Sequence, residues 1–168
     1  KRREASKILC IAMMMQRGTP YIYEGQEIGM TNCCYDDSEY KDVLTENTFA
    51  LAKKLLPLPV LDEHFKNFWK RRARDNARTP MQWDASDNAG FTTGTPWMKV
   101  NPNKDEINVS DADSDPDSIL NFYRDFLKFR KGNDVIINGT FRMYMPDDND
   151  IFMYERAHKG KRYLVICN

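Results

Sequence analysis

The chain has 168 residues, enough for one ordinary domain or for the end of one domain and the start of another. It is 41% hydrophobic and 12% aromatic, as an ordered globular protein should be, and its 25 basic and 25 acidic side chains cancel. A neutral chain gives neither nucleic acid nor an anionic membrane surface anything to select, so both are excluded as expected partners. The cysteines Cys10, Cys33, Cys34 and Cys167 form no CxxC pair and no zinc spacing, and no run of about 18 apolar residues offers a membrane span. Reduced, partly buried thiols in a cytoplasmic setting are therefore expected. The chain opens on "KRREASKILC", which reads as the inside of a helix, and stops on "YLVICN", which reads as mid-strand, so a piece of a longer protein is expected.

From Glu4 to Arg17 apolar residues recur at Ile8, Ile11, Ala12 and Met15, the spacing of an amphipathic helix, with Gly18 placed to end it. Tyr21, Ile22 and Tyr23 form a short apolar run between Pro20 and Gly25, which predicts a strand buried on both faces of a parallel sheet. "KDVLTENTFALAKKLL" reads as a helix stopped at Pro57 to Pro59, and a weaker helix is predicted from Leu61 to Arg72. From Ala73 to about Asp113 no period is visible. A loop of that length points to function or disorder, and Trp83, Phe91, Trp97 and Met98, which need burial, argue against disorder.

"SDPDSILNFYRDFLKFRKGN" is the clearest helix, with Ser114 or Asp115 as N-cap, Pro116 in its first turn and Gly132 at its end. Ile119, Phe122, Tyr123, Phe126 and Leu127 share its apolar face. Beyond it the period changes to two. "DVIINGTFRMY", "DIFMYERA" and "KRYLVIC" predict antiparallel strands, turning at Asn138-Gly139, between Pro146 and Asp150, and at Lys159-Gly160. The order predicts the last unit of an α/β domain followed by the start of an all-β domain.

Ligands gather beyond the carboxyl ends of parallel strands, which draws attention to Glu24, Gly25, Gln26 and Glu27 and to the segment that returns past them. That segment contains "RDNARTPMQWD". Arg74 and Arg78 offer planar donor forks, Asp75 and Asp84 acceptors, Asn76 and Gln82 both, and Trp83 an apolar face. Vicinal hydroxyls need paired donors and acceptors, so a carbohydrate suits this mixture. Phosphate would call for a glycine-rich turn at a helix N-terminus, which is missing. The same residues serve equally to pin a long loop to itself, and their chemistry alone leaves both roles open. Glu24 and Glu27 are a weak carboxylate pair, more typical of loop anchors. His64 and His158 are isolated, Met13 to Met15 read as core filling, and "DADSDPD" lacks the glycine and final glutamate of a calcium loop. No motif calls for a cofactor or a metal.

"GTPYIYEGQEIGM", "RDNARTPMQWD" and "NAGFTTGTPWMKVNPN", in that order, resemble the oligo-1,6-glucosidase and α-glucosidase branch of the α-amylase superfamily. The resemblance implies an α/β fold: residues 1–132 as the C-terminal end of a TIM (β/α)8 barrel, elaborated after strand eight, and 133–168 as the start of an antiparallel all-β domain. It implies a retaining, exo-acting α-glucosidase that removes terminal glucose from isomalto- or malto-oligosaccharides. Such chemistry sets two carboxyl groups about 5 to 5.5 Å apart across the glycosidic bond. In the family the nucleophile, the acid/base and a third acid come from strands four, five and seven. These precede the region matched here, so no catalytic acid is expected in this chain.

What carries over is Arg74. Its counterpart in these enzymes pairs with an aspartate from early in the barrel and holds the non-reducing-end glucose, so an unpaired half of that clamp is expected here. Arg78 is expected to shape the neighbouring subsite, and Gly18, Pro20, Gly25 and Glu27 match a structural signature. Relatives that prefer α-1,6 linkages often read D-[IV]-E after strand eight. Here Leu44 stands at the acid's position in "KDVLTEN", with Glu46 as a possible substitute, which leaves the acceptor preference open. "YEGQEIGM" in place of "YQGEEIGM" is expected to be mild. Sucrose isomerase, trehalose-forming transglucosylase, trehalose-6-phosphate hydrolase and a non-catalytic interaction module are the other activities that the same fold admits.

Overall fold

The computed structural model describes residues 1–36, 38–55 and 66–168. In chain order their helices are α1 (Arg2–Met14), α2 (Val43–Leu55), α3 (Lys66–Arg72), α4 (Val109–Ser114), α5 (Ile119–Lys131) and α6 (Asp134–Asn138). Strands β1 (Thr140–Tyr144), β2 (Phe152–His158) and β3 (Lys161–Cys167) form one antiparallel sheet in that order. The chain divides into two compact units, one of Lys1–Gly29 with Ala112–Asn168, the other of Met30–Asp111. No described helix is long and apolar enough to cross a membrane.

In the first unit α1 buries Cys10 and Met14 and ends at Met14, short of the predicted Arg17. Its last carbonyls have no partner further along the helix, and two arginines from distant positions take them. Arg130 donates to the carbonyls of Met14 and Gln16, and Arg156 to Met15 at 3.2 Å, Ile136 at 2.9 Å and Gly139 at 2.7 Å.

α5 begins at Ile119, three residues after Pro116, because the acid expected to cap it is used elsewhere. Asp115 accepts from the Asp117 amide at 2.9 Å and pairs with Arg3 at 2.7 Å, and Ser118 becomes the N-cap by accepting from Asn121 N at 3.1 Å. Asp134–Asn138, predicted as part of a strand, is a helix instead. Asn133 caps it by accepting from Val135 N at 3.1 Å. Gly139 follows where a Cβ would lie 2.2 Å from the Val135 carbonyl, so a side chain there would drive the helix end from the sheet. Val135 and Ile136 thus turn inward, and Ile136, Met15, Tyr154, Val165 and Cys167 make a core between helices and sheet.

Tyr21 to Tyr23 form no strand: Tyr21 is 84% and Tyr23 58% exposed. The sheet of β1, β2 and β3 is antiparallel and self-contained, so among the described residues there is no parallel partner for this run.

In the second unit α2 matches its prediction, while the stop at Pro57 to Pro59 and the predicted helix from Leu61 to Phe65 lie outside the described residues. Within the described part of that prediction, Lys66–Arg72 form α3. Cys33, Tyr35, Tyr40, Phe49, Trp69, Ala73 and Met98 form the core, with ring centroids 5.4 Å apart for Tyr35 and Tyr40 and 5.5 Å for Tyr40 and Phe49. The aperiodic segment is ordered, but not by burying its aromatics as expected. Trp83, Phe91 and Trp97 stay exposed, and of the four only Met98 joins the core. Backbone pairing and buried amides hold it instead. Gln82, fully buried, donates to the Ile107 carbonyl at 2.6 Å and to Asn103 Oδ1 at 3.0 Å, and the Val109 amide donates back to the Gln82 carbonyl at 2.9 Å.

Candidate functional site

Tyr40 and Ala73 are both core residues of the second unit, and each is followed at once by a polar segment. The packing beneath them therefore sets Asp42, two positions after Tyr40, against the one-turn helix Arg74–Arg78. Arg74 Nη2 donates to Asp42 Oδ1 at 3.0 Å and Arg78 Nη1 to Asp42 Oδ2 at 2.8 Å. The two cations lie four residues apart in one tight turn, so a single carboxylate reaches both.

Asp42 has two other tasks. Its Oδ1 accepts from Leu44 N at 3.1 Å, capping the start of α2, where the helix dipole also favours a negative charge. Its own amide and that of Lys41 donate to Asp75 Oδ1, at 3.0 and 2.9 Å. The contacts are thus reciprocal: Asp75 holds the backbone of the 41–42 segment, and Asp42 holds the arginines of the 74–78 segment. Asn76 completes the anchoring, accepting from Cys33 N at 3.1 Å and donating to the Lys70 carbonyl at 3.1 Å. Asp75 and Asn76, read from sequence as candidate ligand groups, serve here to pin the loop.

The arginines differ from the two aspartates in exposure. Asp42 is 3% and Asp75 0% exposed, whereas the side chains of Arg74 and Arg78 are 62% and 37% exposed. Burial alone would raise the Asp42 carboxyl, but the hydrogen bonds from Arg74 and Arg78 outweigh it and hold the group below its ordinary value. The result is an ionised, buried acid behind two cationic forks that face solvent. Forks fixed in this way suit paired hydroxyls or a carboxylate.

The expectation that Arg74 stands unpaired is corrected: its partner is Asp42. In "KDVLTEN" the resemblance bears on the position of Leu44 and gives Asp42 no role. An aspartate just before an apolar helical run is a capping signal, and that signal was there to be read. Leu44 is 54% exposed and Glu46 also faces solvent in the first turn of α2.

The remaining candidates lie in the first unit. Glu24 is exposed, while Glu27 is half-buried in the turn Gln26–Ile28, with its Oε2 buried and lacking a hydrogen-bond partner among the described residues. Gln26 donates to the Tyr123 hydroxyl at 3.0 Å and accepts from Tyr23 N at 3.2 Å, so the exchanged amide ties its turn to α5. His158 is half-buried on β2, His64 lies outside the described residues, and Met14 and Met15 are core. Cys10, Cys33, Cys34 and Cys167 are free thiols, of which only Cys34 is exposed. Among the described residues no cluster of histidine, cysteine and acidic side chains is arranged to hold a metal.

An arginine pair on a structured loop, with an antiparallel sheet at the chain's end, is an arrangement with known relatives. The α-amylase catalytic domain family matches residues 1–139, and the chain belongs to that family of glycoside hydrolases. Within it, the chain is 44% identical to the oligo-1,6-glucosidase of Parageobacillus thermoglucosidasius and 42% identical to that of Halalkalibacterium halodurans, in both cases over 99% of its own length. The crystal structure of Bacillus licheniformis trehalose-6-phosphate hydrolase superposes with a TM-score of 0.91 at 40% identity, covering 98% of this chain and 29% of that one. The chain spans about 30% of the length of the curated relatives it matches.

Proposed function

We propose that the chain supplies part of the substrate pocket of a retaining, exo-acting α-glucosidase that releases terminal glucose from isomalto- and malto-oligosaccharides. Arg74 holds the terminal glucose and Arg78 the adjoining subsite. The acids that break the bond come from other strands of the barrel. The observation that carries this reading is the contrast within one five-residue turn: Asp75 and Asn76 are spent on the backbone, while Arg74, fixed by Asp42, keeps 62% of its side chain exposed. A residue that only pinned the loop would be buried like Asp75.

In this reading residues 1–132 belong to the barrel and 133–168 open the all-β domain. The substrate is a small neutral oligosaccharide, and no cofactor takes part. The compartment is the cytoplasm, which suits four free cysteines, two of them adjacent.

The test is glucose release by the full-length protein from isomaltose, maltose, sucrose and trehalose 6-phosphate. Isomaltose or maltose as the best substrate supports the reading. Preference for trehalose 6-phosphate, or conversion of sucrose to an isomer, would assign the chain to a sister activity of the same fold, and no turnover of any of them would leave an interaction module.

A further inference from the structure

We infer that Asp42 is the positioning residue of the sugar clamp: one buried carboxylate sets the direction of both guanidinium groups before a sugar arrives. The inference rests on the role given to Arg74 above. An ionised carboxylate has about four acceptor positions, and Asp42 fills three of them, with Leu44 N, Arg74 Nη2 and Arg78 Nη1. Each oxygen takes a different arginine. The two forks are therefore held from behind, at the buried side, and their remaining donors face solvent.

Arginine loses more rotamer freedom on being fixed than most side chains. An arginine already held loses little more when it grips a hydroxyl, so the pair is preorganised. Asp42 itself cannot drift, since Asp75 holds its amide and α2 begins on its carbonyl, with Glu46 N donating to Asp42 O at 3.0 Å. The chain of support runs from a fully buried acid, Asp75, through a nearly buried one to two exposed cations. Placement of the same acid at the N-cap also couples α2, and with it Leu44, to the clamp.

Capping and positioning are separable. Serine caps a helix about as well as aspartate, but its hydroxyl is too short and uncharged to hold two guanidinium groups. In the full-length enzyme, kcat/KM on p-nitrophenyl α-glucoside is compared among wild type, Asp42→Ser, Arg74→Ala and the double variant, each rate expressed per folded molecule. Asp42→Ser is expected to stay folded at the assay temperature yet lose on the order of 100-fold in kcat/KM, the scale that a small misplacement of a binding group produces. The double variant is expected to lose clearly less than the product of the two single losses, because part of what Asp42 does is done through Arg74 and the rest through Arg78.

If Arg74→Ala is crippled while Asp42→Ser works like wild type, or if the two losses simply multiply, the positioning role is overturned and the clamp stands. If Arg74→Ala itself works like wild type, both readings fall. Should Asp42→Ser unfold below the assay temperature, Asp42→Asn, which keeps an acceptor for Leu44, is carried through the same cycle with the same expected and contrary results.

Discussion

Asp42 collects three donors on one carboxylate that is 3% exposed, and its titration should report on them. Because its folded value is depressed below the ordinary 3.8, its contribution to stability is present above about pH 4 and is lost as the pH falls through the folded value. The difference in melting temperature between wild type and Asp42→Asn is accordingly expected to be constant near neutrality and to shrink on acidification below about pH 4. A gap that widens in acid would contradict an arginine-held carboxylate. The opposite case is Cys10. Burial pushes its thiol up to about 11, despite a hydrogen bond with Tyr123 that acts the other way, so the nucleophilic thiolate is scarce at ordinary pH. Native protein treated with a thiol reagent at pH 8 is expected to leave Cys10 unlabelled until denaturant is added, as peptide mapping would show. Labelling at the rate of a free cysteine would mean that the α1 core opens readily.

Helix ends are where the sequence was hardest to read. α2 and α5 were visible because their apolar faces repeat over several turns, and a long period averages out single exceptions. Their starting points are not: Ser114 or Asp115 reads as the cap of α5, whereas the cap is Ser118, because Arg3 and the Asp117 amide take Asp115. Ser118→Ala is expected to cost about 1 kcal/mol, read from the urea midpoint; no change would return the cap to Asp115. α6 reads locally as a strand, since five residues are too few to show a period and Val135, Ile136 and Ile137 favour strands on their own. The Asn133 cap and the tight approach at Gly139 decided it. The end of α1 was set by arginines over a hundred residues away in sequence, which no local pattern reveals. Arg156 is fully buried and donates to carbonyls of α1's end, α6 and β1, so Arg156→Met leaves several buried acceptors unpaired. A loss of at least about 3 kcal/mol is expected, and a variant as stable as wild type would show that these contacts carry no weight.

At the scale of the whole molecule, family membership came from motifs whose meaning depends on residues outside them. "RDNAR" was legible as a polar, non-periodic stretch, and its resemblance gave Arg74 a role. Which of its polar groups face inward depends on segments around Cys33 and Asp42, at distances in sequence that no window spans. The strand predicted at Tyr21 to Tyr23, which the structure lacks, shows the same limit from the other side, since a parallel strand exists only with neighbours to pair with. The chain spans about 30% of the relatives' length, so most of what surrounds these motifs in the relatives lies outside the matched region.

The central claim, that Arg74 grips the terminal glucose, is tested most directly by inhibition of the full-length enzyme by free glucose, which fills that subsite alone. Arg74→Ala is expected to weaken glucose inhibition and to lower kcat/KM for every terminal α-glucoside by at least about 100-fold, the cost of removing a charged binding partner. Glucose inhibition and kcat/KM both near wild type in Arg74→Ala would contradict the claim and return the arginine to the loop that carries it.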